Sequence, residues 1–354
     1  MFFFKDIIKE LLSRGDVVDI ATNEGNGNSP VPEIYKTMNC NVFPITCERT
    51  PFSLNNFKAI KMIQHIVSAG EYSIVHCHTP IAAACTRIAC RKLRKNKLRV
   101  FYTAHGFHFY KGAPIINWLI YYPIEWFCSF FTDELITINT EDYQIAKNKF
   151  HAKQTHYIPG VGVDSSRFAD EKTETKIREE FSISNDDFCL LSVGELNDNK
   201  NHINVIKALK GLENVTYIIV GQGKNTNVLK EEAEKSNVKL VLAGFRTDVS
   251  RFYKVADCYI LPSHREGLNV SLMEAMGSSL PCLASNIRGN RDLIDLNGGL
   301  LFDQKSISSI ADSIKSIMNL DSDKKRLLGE YNINKIKSFE SNVINHQILD
   351  LYDS

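Results

Sequence analysis

The residues best suited to chemistry lie in one stretch, LPSHREGLNVSLMEAM at positions 261–276. Its first part predicts a buried strand that ends at Ser263, and its last part predicts a helix that begins near Asn269. Glu266 lies in the loop between them, and Glu274 lies about a turn and a half inside the helix. This spacing places one carboxylate before a helix N-terminus and one within the helix.

A helix N-terminus presents backbone N–H groups that have no partner inside the helix, and such groups bind anions. The amides expected to do so here belong to Gly267, Leu268, Asn269 and Val270. A nucleotide sugar offers a diphosphate to these amides, ribose hydroxyls to Glu274 and hexose hydroxyls to Glu266. The alternative is a solvated pair of acids that favours the helix dipole by about 0.3–1 kcal/mol, but it does not account for the HREG loop.

The second half of the chain alternates apolar strands with helical segments. The strands are FCLLSVG, TYIIVG, VKLVLAG, CYILPS, PCLAS and GLLF. This alternation predicts an α/β domain of the Rossmann-like kind, with a parallel sheet and right-handed crossovers. The stretch PGVGVDSS at 159–166 is rich in Gly, Pro and Ser, which predicts a hinge before this domain.

The first half also contains buried strands, SIVHCHT and RVFYTAH, but it begins with a helix. Helical spacing of apolar residues covers 3–12, and residues 25–32 predict a loop. A doubly wound domain normally begins with a strand and a Gly-rich turn, so we expect this domain to lack its first strand. The predicted domains are 1–162 and 163–338, followed by a helix at 339–354 that packs back on the first domain.

Composition excludes several classes of protein. The 354 residues fit two domains, and a formal net charge of +1 argues against a nucleic-acid partner. Nine cysteines without a CxxC pair predict thiols in a reducing compartment. There is no clear signal peptide and no apolar run of the roughly 18 residues that span a bilayer, which predicts a cytoplasmic protein. The only Asp-x-Asp, at Asp321 and Asp323, is typical of a helix start, so no metal is expected.

Three segments resemble glycosyltransferase family 4. They are the EG…SLMEAM stretch, TAHGFHFYKGAPIINWLIYYPIE at 103–125 and IPGVGVDSSRF at 158–168. The last two are most similar to the subgroup that builds bacterial capsule, exopolysaccharide and O-antigen repeat units. The resemblance implies the GT-B fold, in which two Rossmann-like domains face each other across a cleft. It also implies that the first domain binds the acceptor and the second binds the nucleotide sugar.

The segment SVGELNDNKNH follows the first strand of the second domain. In the resembled family this segment carries an arginine and a lysine that clamp the donor diphosphate. Lys200 matches the lysine, although outside this context it would be an ordinary surface residue. Glu195 occupies the arginine position, and a carboxylate there repels a diphosphate unless it turns away or is paired.

Two further loops are expected beside the nucleotide. Gly221 and Gly223 in VGQGKN predict a tight turn, whereas Thr226 replaces the third glycine that a dinucleotide-binding fingerprint requires. Phe245 and Arg246 match the family position that holds the base. The alternative for Arg246 is an ordinary exposed arginine in a loop.

In the first domain, His105 of TAHG matches the family's histidine near the anomeric centre of the transferred sugar. The resemblance implies that it supplies hydrogen bonding and polarity rather than covalent attack. His78 and His108 are further candidates on the acceptor side, and a purely structural role for His78 is an equal alternative. No GxSxG nucleophile motif is present. This fits the family's retaining mechanism, in which the leaving phosphate accepts the proton of the incoming hydroxyl.

The predicted function is therefore retaining, metal-independent transfer of a hexose or N-acetylhexosamine, without a cofactor, from a UDP-sugar to a polyprenyl-diphosphate-linked saccharide. The aromatic run at 115–131 and the basic run at 91–99 predict peripheral contact with the inner face of the bacterial membrane. A buried helix and a solvated helix end are the alternatives for these two runs. The rival functions are a sugar-nucleotide epimerase and an inactive binding module on the same fold. The sequence does not identify the base, the sugar, the linkage or the acceptor.

Overall fold

The computed structural model describes residues 4–23, 33–48, 50–168 and 174–354. The chain divides into two compact units, of which the first is Met1–Val161 with Ile344–Ser354 and the second is Gly162–Val343. Both units are α/β and contain parallel sheets, as the sequence predicted. The loop predicted at 25–32 lies outside the described residues.

The first unit contains two parallel sheets. The smaller pairs β1 (Ile20–Thr22) with β2 (Val42–Pro44), and the larger has the order β3 (Ile74–His78), β4 (Arg99–Ala104), β5 (Glu134–Thr137), β6 (Gln154–Tyr157). The helices are α1 (Lys5–Ser13), α2 (Glu33–Thr37), α3 (Asn55–Gly70), α4 (Pro80–Cys90), α5 (Ile115–Ser129) and α6 (Thr140–Lys149). The described chain thus begins with a helix, and no described strand joins the two sheets.

Helix α1 and the C-terminal helix Ser341–Asp353 pack on the larger sheet. Ile7 of α1 is buried with Phe101 of β4, Ile136 of β5 and Ile344 and Ile348 of the C-terminal helix. Burial of these side chains removes apolar surface of both helices from water. The last helix therefore belongs to the first unit, although the chain enters it from the second.

Two helices of the first unit are shorter than the sequence predicts, which is 80–95 for one and 115–131 for the other. Helix α4 ends at Cys90 with a 3₁₀ turn after it at Leu93–Asn96, and α5 ends at Ser129. Like charges three or four residues apart in the basic run disfavour continuation of the helix. Helix α5 contains Pro123 in its interior. Since proline has no N–H, the carbonyl one turn earlier lacks its helical partner.

The second unit is a six-stranded parallel sheet with helices between successive strands. Its strands are β7 (Phe188–Val193), β8 (Val215–Val220), β9 (Lys239–Gly244), β10 (Cys258–Leu261), β11 (Cys282–Ser285) and β12 (Gly299–Phe302), in the order β12-β11-β10-β7-β8-β9. The helices are α7 (Glu174–Glu180), α8 (His202–Leu209), α9 (Thr226–Ser236), α10 (Ser250–Val255), α11 (Val270–Gly277), α12 (Asn290–Leu293), α13 (Ile307–Met318) and α14 (Ser322–Ile336). Every residue of β8 is buried, as expected for a parallel strand covered on both faces.

The hinge motif PGVGVDSS lies where the chain enters the second unit. Val163 donates its N–H to Phe339 at 2.9 Å, and its carbonyl accepts from Ser341 at 2.9 Å. Gly162 has φ +77°, and a Cβ there would lie 2.4 Å from the Cα of Ser341. A glycine is therefore needed at this position. The close approach joins the start of the second unit, at Gly162 and Val163, to the segment Phe339–Ser341 near its end.

Candidate functional site

The strand order of the second unit reverses between β7 and β10. These strands are neighbours and parallel, with Cys258 opposite Leu190 and Tyr259 opposite Leu191. The chain turns to β8 and β9 on one side of β7 and to β10, β11 and β12 on the other. In open parallel sheets, ligands bind beyond the carboxyl ends of the strands at such a reversal. The loops that follow β7 and β10 are therefore the first place to look for a site.

These two loops bring Lys200 and Glu266 together. The Nζ of Lys200 lies 2.8 Å from the Oε1 of Glu266, and the two side chains are 16% and 13% exposed. The N–H of His264 donates to the carbonyl of Asn199 at 2.8 Å, and the side-chain amide of Asn199 donates to the carbonyl of Arg265 at 3.0 Å. The pair thus rests on a backbone framework that fixes both loops.

Helix α11 begins next to this pair. It starts at Val270, and the side chain of Asn269 caps it by accepting the N–H of Leu272 at 3.0 Å. Within the described residues, the amides of Gly267, Leu268, Asn269 and Val270 donate to no protein acceptor. Since Asn269 satisfies the third amide of the helix, the preceding ones remain available to an anion.

The loop ahead of α11 is seated on the β11–α12 connection. Gly289 has φ +76°, and a Cβ there would lie 2.0 Å from the carbonyl oxygen of Gly267. Arg288 donates its Nε to the carbonyl of Glu266 at 3.3 Å. The close approach of Gly289 and the hydrogen bond from Arg288 together fix the backbone at Glu266 and Gly267.

Glu274 lies farther along α11, in a partly buried position. The hydroxyl of Tyr253 lies 2.9 Å from the Oε2 of Glu274 and 3.1 Å from the carbonyl oxygen of Ser271, two acceptors that share its one proton. Burial raises the pKa of Glu274, while the hydrogen bond from Tyr253 and the positive charge of Arg167 act in the opposite direction. The carboxylate is therefore held in place rather than free in solvent.

Gly221 and Gly223 lie where the loop after β8 approaches the loop after β7. A Cβ on Gly221 would lie 1.8 Å from the carbonyl oxygen of Gly194, and one on Gly223 would lie 2.4 Å from that of Leu196. Both positions exclude any side chain. The two glycines let the neighbouring loop, which leads to Lys200, pack directly against them.

The three remaining donor-side positions differ in exposure and pairing. Phe245 is 71% exposed. Arg246 donates Nε and Nη2 to the two carboxylate oxygens of Asp248 at 2.8 Å each, and Nη1 to Glu180 at 2.8 Å. Glu195 is exposed and forms no ion pair with a described residue. The guanidinium of Arg246 is thus paired with two acids of the protein, whereas the ring of Phe245 is exposed to solvent.

In the first unit, His78 is the last residue of β3, and His105 directly follows the adjacent strand β4. The Nδ1 of His78 lies 3.2 Å from the Nε2 of His105. His105 keeps an exposed edge, yet burial of the rest of the ring lowers its pKa to about 4, and burial holds the pKa of His78 well below its usual range. Both rings are therefore neutral near pH 7. A hydrogen bond between the two ring nitrogens needs one of them to donate and the other to accept, which couples the tautomers of the two rings.

Two other histidines have clear structural contacts. The Nε2 of His76 lies 2.8 Å from the hydroxyl of Thr103, and burial lowers the pKa of His76 to about 3. The ring of His108 stacks on Tyr121 of α5 at 4.3 Å between centroids. His108 is thus held against α5.

Sequence reasoning missed several residues that support the site. Tyr253 was not singled out because it lies in α10, 21 positions before its partner Glu274. Arg167 lies in a motif that the sequence analysis quoted, but nothing there linked it to Glu274. The run NDNKN at 197–201 around Asn199 gave no signal for its contact with Arg265.

Among the described residues, no three or more His, Cys, Asp or Glu side chains are grouped so that they could hold a metal ion. Asp321 is the N-cap of α14 and accepts the N–H of Lys324 at 2.8 Å, as its sequence context predicted.

No helix in the described part of the chain has the length and apolar character needed to cross a bilayer.

Comparison with family models gives two matches. The model described as "Glycosyl transferases group 1" matches residues 173–335, and "Glycosyl transferase 4-like" matches residues 1–139. The chain is 36% identical to EpsD of Bacillus subtilis strain 168, a protein named as a glycosyltransferase, over 76% of this chain and 72% of EpsD. It is 29% identical to an Escherichia coli UDP-Gal:alpha-D-GlcNAc-diphosphoundecaprenol alpha-1,3-galactosyltransferase, over 74% and 70% of the two chains.

Solved structures match over the whole length. HepE of Anabaena, crystallised with UDP and glucose, has a TM-score of 0.80 at 18% identity and covers 100% of this chain and 95% of its own. Sucrose-phosphate synthase of Thermosynechococcus elongatus has a TM-score of 0.79 at 17% identity, covering 99% and 92%. At these identities the likeness shows the fold alone, which is GT-B, as predicted.

Proposed function

We propose that this chain, which belongs to glycosyltransferase family 4, transfers a sugar from a UDP-sugar to a polyprenyl-diphosphate-linked saccharide in the assembly of a bacterial cell-surface polysaccharide. The proposed sugar is a hexose or an N-acetylhexosamine, and the configuration at its anomeric carbon is retained. The proposed place of action is the inner face of the cytoplasmic membrane, with the protein bound peripherally.

The observation that carries the proposal is the position of the Lys200–Glu266 pair beside the open amides that precede α11. A cation, a set of N–H donors and a carboxylate meet beyond β7 and β10. A nucleoside diphosphate sugar supplies matching groups. Its diphosphate accepts hydrogen bonds from the cation and the amides, and its sugar hydroxyls donate to the carboxylate.

The choice of UDP draws on the relatives. The Escherichia coli relative is named for a UDP-galactose donor, and HepE was crystallised with UDP and glucose. In this chain we assign Glu274 to the ribose hydroxyls, because Tyr253 holds its carboxylate in place. We assign base stacking to Phe245, since Arg246 is already paired with Asp248 and Glu180.

The proposed acceptor follows the same reasoning. The Escherichia coli relative is named for an acceptor saccharide on diphosphoundecaprenol. CapM of Staphylococcus aureus, 23% identical over 79% of this chain and 76% of its own, is named for capsular polysaccharide biosynthesis. A lipid-linked saccharide requires an enzyme that works at a membrane surface.

In the proposed mechanism the protein stabilises charge and positions groups. Lys200 and the amides from Gly267 to Val270 stabilise the negative charge that grows on the leaving diphosphate. Glu266 fixes the sugar through its hydroxyls, and His105 supplies a neutral polar contact at the reacting carbon. The leaving phosphate oxygen takes the proton of the acceptor hydroxyl as the new glycosidic bond forms on the same face. No metal ion or cofactor takes part in this scheme.

A panel of UDP-sugars tests the proposal directly. We expect one UDP-sugar to raise the melting temperature of the protein and to give a product with a lipid-linked acceptor, whose linkage is read by NMR. Conversion of the UDP-sugar without an acceptor would instead indicate an epimerase. Binding without any turnover would indicate an inactive module, in which the exposed Glu195 is the residue to replace by arginine.

A further inference from the structure

Helix α5 leaves one apolar face in solvent. Ile115 is 73% exposed and Leu119 is 66% exposed, although both are large apolar side chains. The same face continues with Ile116, Trp126 and Phe127 and extends to Phe130, the residue that follows the helix. We call these six side chains the α5 face. Exposed apolar surface of this continuity is typical of an interaction site.

The α5 face carries no charge. The only ionisable carboxyl or cationic group in the helix belongs to Glu125, which is buried on the opposite side. There Arg87 donates its Nη2 to Glu125 at 2.7 Å, and Tyr102 donates its hydroxyl at 3.0 Å. Burial of this acid therefore leaves the outer face of the helix wholly apolar.

A basic turn adjoins the end of this face. Arg94 donates its Nη1 to the carbonyl of Phe130 at 2.8 Å and binds both carboxylate oxygens of Asp133, at 2.9 and 2.7 Å. Asp133 also pairs with Lys153 at 2.7 Å, so its charge is already neutralised. The turn is thus fixed beside Phe130.

Four other cations of the turn are exposed, although Arg91 also donates its Nη1 to the carbonyl of Ile88 at 2.6 Å. Arg91, Lys92, Lys95 and Lys97 are exposed, and none of them forms an ion pair with a described acid. We call these four side chains the basic turn. An uncharged apolar face next to unpaired cations has the two properties that an anionic lipid surface recognises.

We infer that the α5 face and the basic turn form the surface by which this protein binds an anionic bilayer, with the apolar side chains in the lipid interface and the cations against the headgroups. Trp126 suits this placement because indole rings prefer the membrane interface. A second copy of the chain fits less well, because the four unpaired cations would then lie close to those of its partner. The inference extends the proposed function, since it assigns the surface that meets the membrane where the acceptor lies.

Vesicle co-sedimentation tests this surface on the full-length protein. Wild type should bind vesicles that contain phosphatidylglycerol more strongly than vesicles of phosphatidylcholine alone, and high salt should weaken that binding. The double variant Leu119→Glu/Phe127→Glu should lose at least about tenfold in partitioning to both kinds of vesicle. The double variant Lys92→Glu/Lys95→Glu should lose about tenfold or more, on the anionic vesicles only.

Matched variants in the second unit serve as controls. Val228→Glu/Leu327→Glu introduces the same charges at exposed apolar positions, and Lys230→Glu/Lys235→Glu reverses exposed cations of α9. Both should bind vesicles as wild type does. If the α5 face and basic-turn variants bind as well as the controls, the inference is wrong. It is equally wrong if wild type is a dimer that the α5 variant converts to a monomer without loss of vesicle binding.

UDP-sugar binding, measured by calorimetry on the same variants, separates this inference from the proposed function. We expect unchanged affinity in every surface variant, which also shows that each one is folded. Loss of vesicle binding together with intact UDP-sugar binding supports the surface. Absence of UDP-sugar binding in wild type would instead remove the proposed function and leave the vesicle result standing.

Discussion

Lys200 and Glu266 form an ion pair of 2.8 Å between the loops that follow two adjacent parallel strands. The two residues are assigned to different parts of the same ligand, the diphosphate and the sugar. In the structure each of the two charges is satisfied by the other. Donor binding should therefore replace one ion pair by two new sets of contacts, so that neither group is left unpaired in a largely buried place.

Glu266→Gln should lower the turnover number by more than about tenfold, because aligned contacts to the sugar hydroxyls are lost in the transition state. The amide can still accept a hydrogen bond from Lys200, but it removes the counter-charge, so some loss of melting temperature is expected and turnover is compared well below it. Steady-state kinetics with the preferred UDP-sugar would measure the effect. Turnover equal to that of wild type would show that Glu266 does not hold the sugar.

Lys200→Ala should weaken UDP binding by about tenfold or more, since it removes a charge-assisted contact to the diphosphate. Uridine has no phosphate and provides the matched control, because its affinity should not fall. Isothermal titration calorimetry of both ligands would measure the difference. An equal loss for uridine and UDP would indicate a general collapse of the site rather than a phosphate contact.

Two substitutions of Asn269 separate its capping role from its place in the anion site. Asn269→Ala should lower the free energy of unfolding by about 1 kcal/mol through loss of the N-cap. Asn269→Asp keeps the cap but adds a negative charge beside the open amides, so it should retain stability while weakening UDP binding. Chemical denaturation and calorimetry would measure these two effects. Wild-type UDP affinity in Asn269→Asp would contradict a diphosphate at this position.

Glu274→Gln should stabilise the protein at pH 7 and weaken nucleotide binding at the same time. Because burial raises the pKa of Glu274 above the ordinary value of 4.5, the folded state favours its protonated form. The protonated side chain therefore contributes fully to stability at pH values below its ordinary pKa of 4.5. That contribution is lost as the pH rises through the raised pKa of the folded state. The stability gain of the variant should therefore shrink as pH falls from the raised pKa towards 4.5 and should be absent below 4.5, which denaturation at several pH values would show.

His105→Ala should reduce transfer without changing the affinity for UDP, because His105 lies in the first unit and the proposed diphosphate site lies in the second. His78→Ala should have a smaller effect in the same direction, since it removes the partner that fixes the tautomer of His105. The kinetic constants of both variants, with UDP affinity as the control, would test this order. A larger effect for His78→Ala would reverse the two assignments.

Local sequence signals predicted much of the second unit. The stretch at 261–276 predicted the order of strand, loop and helix and the helix start near Asn269, because each depends on residues close in the chain. The strand end was predicted at Ser263, whereas β10 ends at Leu261. The alternation of apolar strands and helices gave the parallel sheet for the same reason. The apolar segment DVVDIAT at 16–22 predicts a strand of seven residues, but only Ile20–Thr22 pairs with a neighbouring strand.

Contacts between distant residues could not be predicted in this way. Lys200 and Glu266 are 66 positions apart, and their pairing depends on the adjacency of β7 and β10. Arg246 was expected beside the base, but its partner Glu180 lies 66 positions earlier, in α7. The coupling of His78 to His105 likewise depends on the register of β3 and β4. Such relations follow from strand order, which a single sequence does not contain.

A crystal structure of the protein with UDP tests the central claim most directly. The account predicts that the diphosphate accepts hydrogen bonds from the amides near Leu268, Asn269 and Val270, and that the Nζ of Lys200 moves from Glu266 to a phosphate oxygen. A diphosphate bound elsewhere, with the Lys200–Glu266 pair still intact, would contradict it.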